Sequence, residues 1–241
     1  MLDLSQYTDI HYDSRKVSPG SIFVAIRGEK FDGHEYIETA VKNGATLIVS
    51  EKLVTLPEGI RLIQVEDTRR ELARLSSEFY GNPSSKLKII GVTGTNGKTT
   101  VTHLIQALLT AAANKTALLG TMGLKLSPEA AYQDMGNTTP QSKEVQKILA
   151  DLVGQNYKCL TMEVSSHALE QQRVAGIQFQ TAIVTNLTQD HLDYHVTMDN
   201  YFQAKVRIFK QVKGSVILNV DDEYYSRFKS AAAEHRVVTI G

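Results

Sequence analysis

Two regimes of hydrophobic patterning divide the chain. Between residues 7 and 80, SIFVAI (21–26), TLIVS (46–50) and RLIQV (61–65) read as short strands, and EYIETAVKNGA (35–45) and DTRRELARLSSEFY (67–80) as helices. From residue 87 the alternation becomes regular: the apolar runs LKIIGV, TALLG, KCLTMEV, TAIVTNL, SVILNV and RVVTI are separated by the helical patterns TTVTHLIQALLTAAA, SKEVQKILADLV, SHALEQQR, DNYFQAKVRIF and DDEYYSRFKSAAA. Strict strand–helix alternation predicts a doubly wound, mostly parallel α/β sheet. The polar stretch GNPSSK (81–86) lies between the regimes, so the expected organisation is a small α/β domain over 1–84 and a second domain over 85–241. In the first helix of that second domain Val101, Leu104, Ile105, Leu108, Leu109 and Ala112 recur at core-facing spacing.

Composition adds exclusions. Lys plus Arg and Asp plus Glu stand at 26 each, so no global field draws the chain to nucleic acid or to an anionic membrane, and an anionic partner needs a local site. No apolar run approaches the ~18 residues of a membrane span, and MLDLSQYTDI lacks the pattern of a secretory leader. The expected setting is the cytoplasm, and the expected state a monomer. The single cysteine, Cys159, sits in a strand-like run and reads as a small buried hydrophobe, which leaves no disulfide framework or cysteine zinc site.

The strand LKIIGV runs into GVTGTNGKTT (91–100) and then a helix, the order in which backbone N–H groups and a helix N-terminus hold a phosphate. The common template G-x-x-x-x-G-K-[ST] needs a glycine at 92, where this chain has Val92; its glycines fall at 91, 94 and 97. On this reading Lys98 reaches the β- and γ-phosphates and the Thr99 hydroxyl ligates Mg²⁺.

Downstream, KCLTMEV ends in Glu163, a carboxylate at a strand end where a nucleotide-bound metal needs one. Ser165, Ser166, His167, Gln171 and Arg173 follow, too polar a set for a core helix. TAIVTNL ends in TQDHLDYH, which crowds Asp190, His191, Asp193 and His195 together; the carboxylates suit magnesium better than zinc, and the pattern leaves open which aspartate faces a metal. Lys205, taken alone, reads as a snorkelling surface lysine on a helix whose Tyr201, Ala204 and Ile208 face the core.

Five stretches together resemble the Mur ligases, and among them the branch that extends UDP-MurNAc-dipeptide to a tripeptide: YDSRKVSPGSIFVAIRGEKFDGHEYI, GVTGTNGKTT, NTTPQ (137–141), MEVSSHALEQQRV (162–174) and TNLTQDHLDYHVTMDNYFQAK (185–205). The resemblance implies that the first domain holds the uridine end of the sugar nucleotide, with Ser14, Arg15 and His34 as contacts. It implies that Thr138, Thr139, Ser165, Gln171 and Arg173 grip the muramoyl dipeptide. Gly94, Thr95, Asn96, Gly97, Lys98, Thr99 and Thr100 become the ATP loop of a P-loop ATPase-type sheet. Thr99, Glu163 and His191 become Mg²⁺ ligands, and Lys205 the lysine that reacts with CO₂ to give N6-carboxylysine and helps to hold a second Mg²⁺. Lys98, His191 and Lys205 are then the catalytic set.

The implied reaction is ATP-dependent amide formation. Phosphoryl transfer to the terminal carboxylate of UDP-MurNAc-L-Ala-D-Glu gives an acyl phosphate, which the amine of a diamino acid attacks, meso-diaminopimelate being favoured over L-lysine. Family members carry a further C-terminal Rossmann-like domain for the amino acid, so the expectation for this chain is substrate binding without full turnover. A non-catalytic sugar-nucleotide-binding module and an unrelated P-loop kinase remain as alternatives.

Overall fold

The structure, a computed structural model, describes residues 2–28 and 31–241, which fall into two compact units, Met1–Gly81 and Asn82–Gly241. The first unit contains β1 (Ile10–His11), β2 (Ser21–Val24), α1 (Ile37–Lys42), β3 (Ala45–Ser50), β4 (Arg61–Gln64) and α2 (Thr68–Phe79). Its strands pair in sequence order, all parallel, with Ile22, Val24, Leu47 and Val49 on one face against Leu72 and Leu75 of α2. The other face, with Phe23 and Ile48, packs on Ile37 and Ala40 of α1. Asp67 caps α2, its carboxylate accepting from the N–H groups of Arg69 and Arg70.

The second unit runs β5 (Lys88–Thr93), α3 (Lys98–Ala111), β6 (Thr116–Gly120), β7 (Gly123–Lys125), β8 (Tyr132–Gln133), α4 (Ser142–Gly154), β9 (Cys159–Glu163), α5 (Ser166–Glu170), β10 (Phe179–Val184), α6 (Leu192–His195), α7 (Met198–Val206), β11 (Val212–Asn219), α8 (Tyr225–Ala231) and β12 (Arg236–Ile240). Among the described residues the strands form one sheet in the order β12-β11-β10-β5-β9-β6-β7-β8, parallel except for β7 and β8. The sequence pattern assigns no element to those two short antiparallel strands. β5 lies between β9 and β10, so the chain reverses its direction of growth across the sheet at β5, and the crevice beyond the strand ends opens there.

Two helices differ from expectation. On α3, Leu104 and Leu108 are 59% and 69% exposed, whereas Thr102 and Gln106 are buried; Val101, Ile105 and Leu109 are half-buried and Ala112 is exposed. The cause is a polar seam: Gln106 Nε2 donates to the carbonyls of Thr116 and Lys125, each at 3.2 Å, and the Thr161 hydroxyl donates to the Thr102 carbonyl at 3.1 Å. These bonds turn the helix about its axis and lift one edge of its apolar stripe off the sheet. SHALEQQR, read as one helix, is helical only over Ser166–Glu170, and Gln172 with φ 57° turns the chain away. Cys159 is buried as expected. No helix among the described residues is long and apolar enough to cross a membrane.

Candidate functional site

The chain leaves β5 at Thr93 and enters α3 at Lys98, with Gly94 and Gly97 between them at φ 147° and 83°, conformations that side chains with a Cβ rarely adopt. Gly91, whose position distinguishes this motif from the common template, lies inside β5, where an added Cβ would sit 2.8 Å from the Phe179 ring. It is a packing glycine, outside the loop. The loop is braced by the end of β10: Thr95 N–H donates to the Asn186 carbonyl (3.0 Å), Asn96 N–H to Asn186 Oδ1 (2.9 Å), and Thr188 N–H to Thr95 Oγ1 (3.0 Å). The N–H groups that remain for an anion are those of the first turn of α3, where Thr99 and Thr100 stand and intrahelical partners are lacking.

Lys98 Nζ donates to the carbonyls of Gly94 and Thr95, each at 2.9 Å. Burial pushes its pKa down, while the charges of Glu163 and Asp190 hold it up. Glu163 is 1% exposed and pairs in register with Val92, so its carboxylate stands beside the loop strand. Its Oε1 accepts from Thr121 N–H at 3.1 Å and its Oε2 from the Thr121 hydroxyl at 3.0 Å. Of the two aspartates in TQDHLDYH, Asp190 is the one whose charge bears on Lys98, Lys205 and Tyr201.

Lys205 is 1% exposed, against the surface role its sequence suggests in isolation. Burial first, then the charge of Lys98, pushes its amine well below the usual lysine range, with Asp190 opposing. Among the described residues no carboxylate pairs with it; Nζ lies over the Tyr201 ring, 4.4 Å from the centroid. Tyr201 Oη in turn is 3.3 Å from Thr95 Oγ1 of the loop. His191 starts α6 in a left-handed conformation (φ 52°), half-exposed, with its Nε2 3.5 Å from Asp190 Oδ2 and its ring 5.0 Å from that of His167.

The residues assigned to the dipeptide draw together at the end of β9. The Thr139 hydroxyl donates to the Glu163 carbonyl (3.0 Å), Arg173 Nη1 donates to the Thr139 carbonyl (3.0 Å), and Arg173 Nη2 donates to Gln171 Oε1 (2.6 Å). Ser165 Oγ caps α5 through Ala168 N–H (3.1 Å), and Thr138 Oγ1 lies 3.2 Å from Thr121 Oγ1. In the first unit Ser14 is buried and Arg15 is exposed and paired with Asp13 at 2.7 Å. His34 has both ring nitrogens engaged, Nδ1 with Asp32 (2.5 Å) and Nε2 with the N–H of Glu51 (3.1 Å), so its imidazole braces a turn.

A cavity of about 520 Å³ adjoins the loop, lined by Asn96, Asn186, Thr188, Asn219, Asp221 and Tyr224 among others. Its volume suits a nucleoside-sized ligand. Sequence reasoning missed Asn219 and Asp221, which follow a strand as plainly as Glu163 does, and also Thr121, His103 and Tyr132. His103 Nδ1 is 2.6 Å from the Thr99 carbonyl and its Nε2 contacts the Tyr132 hydroxyl, joining the loop helix to β8. Long-range pairing makes that contact, and no local signal marks it.

Among the described residues no three of His, Cys, Asp and Glu come together as a preformed metal cage. The donor set nevertheless fits Mg²⁺, which keeps several waters and takes one or two carboxylates plus phosphate oxygens. The buried carboxylate of Glu163 and the Thr99 hydroxyl, with phosphate oxygens and water, meet that description, whereas the buried Lys205 amine as it stands is not an oxygen donor.

Residues 92–241 match the model described as Mur ligase middle domain, and residues 6–80 that described as Mur ligase family, catalytic domain. Over 235 residues the chain is 43% identical to the UDP-N-acetylmuramoyl-L-alanyl-D-glutamate–2,6-diaminopimelate ligase of Clostridium perfringens, covering 98% of this chain and 48% of that protein. The enzyme of the same name from Clostridium botulinum is 46% identical over 231 residues, 95% of this chain and 47% of the relative. A solved structure of a ligase of that name superposes with a TM-score of 0.83 at 29% identity over 97% of this chain and 48% of its own. The ADP complex of MurF from Thermotoga maritima, at 22% identity and TM-score 0.62, shares the fold, covering 99% of this chain and 51% of its own. The chain spans about half the length of the relatives it matches, and with the middle-domain model alone covering more than half of its residues, it belongs to the Mur ligase family.

Proposed function

We propose that these residues bind ATP and UDP-MurNAc-L-Ala-D-Glu and activate the dipeptide carboxylate, within a ligase that joins it to meso-diaminopimelate in peptidoglycan synthesis. The observation that carries the reading is the convergence of Lys98, Glu163, Asp190 and Lys205 at the strand ends, beside the hydrogen-bonded set of Thr139, Ser165, Gln171 and Arg173. The names of the relatives support diaminopimelate as the acceptor.

The γ-phosphoryl of ATP passes to the carboxylate, giving acyl phosphate and ADP; attack by the amine then releases phosphate and forms the amide. Triphosphate and carboxylate repel, so the site has to supply positive charge and N–H donors in a dry crevice. Lys98 and the first turn of α3 supply them, and the nucleoside occupies the cavity beside Asn96 and Asn219. Thr99, Glu163 and His191 would hold Mg²⁺, which would supply neutralisation of phosphate charge. Burial lowers the pKa of Lys205 and so favours the free amine that attacks CO₂; forming the carbamate releases a proton and turns a buried amine into an anion facing Lys98.

Calorimetric titration of the chain with UDP-MurNAc-L-Ala-D-Glu tests the reading. Binding that is weakened in Arg173→Ala is the expected result. No binding, with ATP binding intact, would favour a P-loop kinase and remove the ligase. The contribution of these residues is binding and activation, and the complete ligation belongs to the protein that holds the amino acid as well.

A further inference from the structure

We propose that His195 is a positioning residue for Lys205, acting through Tyr201, an inference that rests on the reading of Lys205 above. His195 is 3% exposed, and α5 addresses both of its ring nitrogens: Nε2 is 2.9 Å from Ser166 Oγ, and Nδ1 is 3.1 Å from Glu170 Oε2, oblique to a hydrogen-bond line. Ser166 and Glu170 lie four residues apart on one face of the helix, which is why a single imidazole meets both. The ring plane is thereby fixed, and it stacks on Tyr201 with centroids 5.0 Å apart and planes 28° apart.

The main chain of His195 repeats the hold. Its carbonyl accepts from Thr197 N–H at 2.8 Å and from Asn200 Nδ2 at 2.9 Å, so the same residue anchors the first turn of α7. One turn further on, Tyr201 presents its ring to Lys205 Nζ and its hydroxyl to Thr95. An amine on four rotatable bonds, buried with no ion-pair partner among the described residues, has little besides that ring to fix it, and a reacting group has to be held to within about 0.5 Å. His195 supplies the rigidity, and it ties the helix that follows Ser165 to the helix that bears Lys205.

The full chain, His195→Gln, His195→Phe and Lys205→Ala are equilibrated with ¹³C-bicarbonate; the carbamate carbonyl is read by ¹³C NMR and folding by circular dichroism. Glutamine restores a polar contact to Ser166 without a ring, whereas phenylalanine keeps a ring against Tyr201 without polar contacts. The expected result is a carbamate signal reduced about fivefold or more in His195→Gln, which loses the ring, and reduced by a smaller factor in His195→Phe, which keeps the ring and loses its tie to α5, both with unchanged helix content. Equal signals in His195→Gln and wild type overturn the inference, as does loss of the signal in His195→Phe with its fold intact. A wild-type spectrum without any signal that Lys205→Ala removes defeats the reading of Lys205 itself and takes the inference with it, an outcome distinct from the other two.

Discussion

Both carboxylate oxygens of Glu163 are held by one residue, Thr121, whose N–H and hydroxyl donate at 3.1 and 3.0 Å. The hold depends on the preceding glycine: a Cβ at Gly120 would approach Glu163 Cδ to 2.8 Å. Gly120→Ala should therefore push the carboxylate aside and weaken Mg²⁺-dependent ATP binding by about tenfold or more, about 1.4 kcal/mol. Thr121→Val, which keeps the N–H bond and loses the hydroxyl bond, should cost less. Titration calorimetry with and without Mg²⁺ checks both, and unchanged Mg²⁺ dependence in Gly120→Ala would show that Glu163 does not serve the metal.

Lys98 folds back on the carbonyls of Gly94 and Thr95, so binding a triphosphate exchanges two neutral acceptors for charged ones. Charge-assisted bonds are about twice as strong as neutral ones. Lys98→Met should lower ATP affinity by about tenfold to a hundredfold while leaving UDP-MurNAc-dipeptide affinity within about twofold. Separate titrations with each ligand decide the matter, and an equal loss for both would place Lys98 in a structural role.

The loop, Glu163 and the parallel sheet are legible in the sequence because each rests on local order: apolar strand, turn, amphipathic helix. The burial of Lys205 was not legible from periodicity: taken alone it reads as a surface lysine beside the core positions Tyr201, Ala204 and Ile208, yet it is buried with them. The rotation of α3 was not legible, because it is set by Gln106 meeting carbonyls on β6 and β7. Nor was the engagement of His34, whose Nε2 partner is the N–H of Glu51, seventeen residues away. That Asp190 is the aspartate whose charge bears on Lys98 and Lys205 follows from tertiary packing, which composition does not reveal.

In the first unit Asp32 accepts from the His34 N–H at 3.0 Å, and from His34 Nδ1 and Lys52 Nζ; the backbone bond chiefly, with the side-chain partners, holds its carboxyl well below the usual range. A depressed folded pKa contributes stability that is complete above the unfolded value of about 4 and disappears as pH falls toward the folded one. Asp32→Asn should cost about 1–2 kcal/mol near neutral pH, and its gap from wild type should narrow in acid below about pH 4. Urea unfolding of both proteins across that range gives the comparison, and a gap independent of pH would assign the effect to packing.

Val196 joins α6 to α7 at φ 67° and ψ −44°, with Thr197 N–H donating to the His195 carbonyl at 2.8 Å. That is a γ-turn of the strained hand, and a β-branched residue is poorly suited to it. The side chain is 73% exposed, so it gains little from packing in return. Strain of this kind costs of order 1–3 kcal/mol, and glycine relieves it while losing roughly 0.5–1 kcal/mol to chain entropy. Val196→Gly should therefore stabilise the second unit by about 1 kcal/mol and raise its melting midpoint by about 2–4 °C. A lower midpoint would mean that the valine side chain holds the turn. If the turn also sets the angle of α7, the gain in stability should come with a looser Lys205 and faster exchange of the carbamate proposed for it, measurable by ¹³C magnetisation transfer on the same sample.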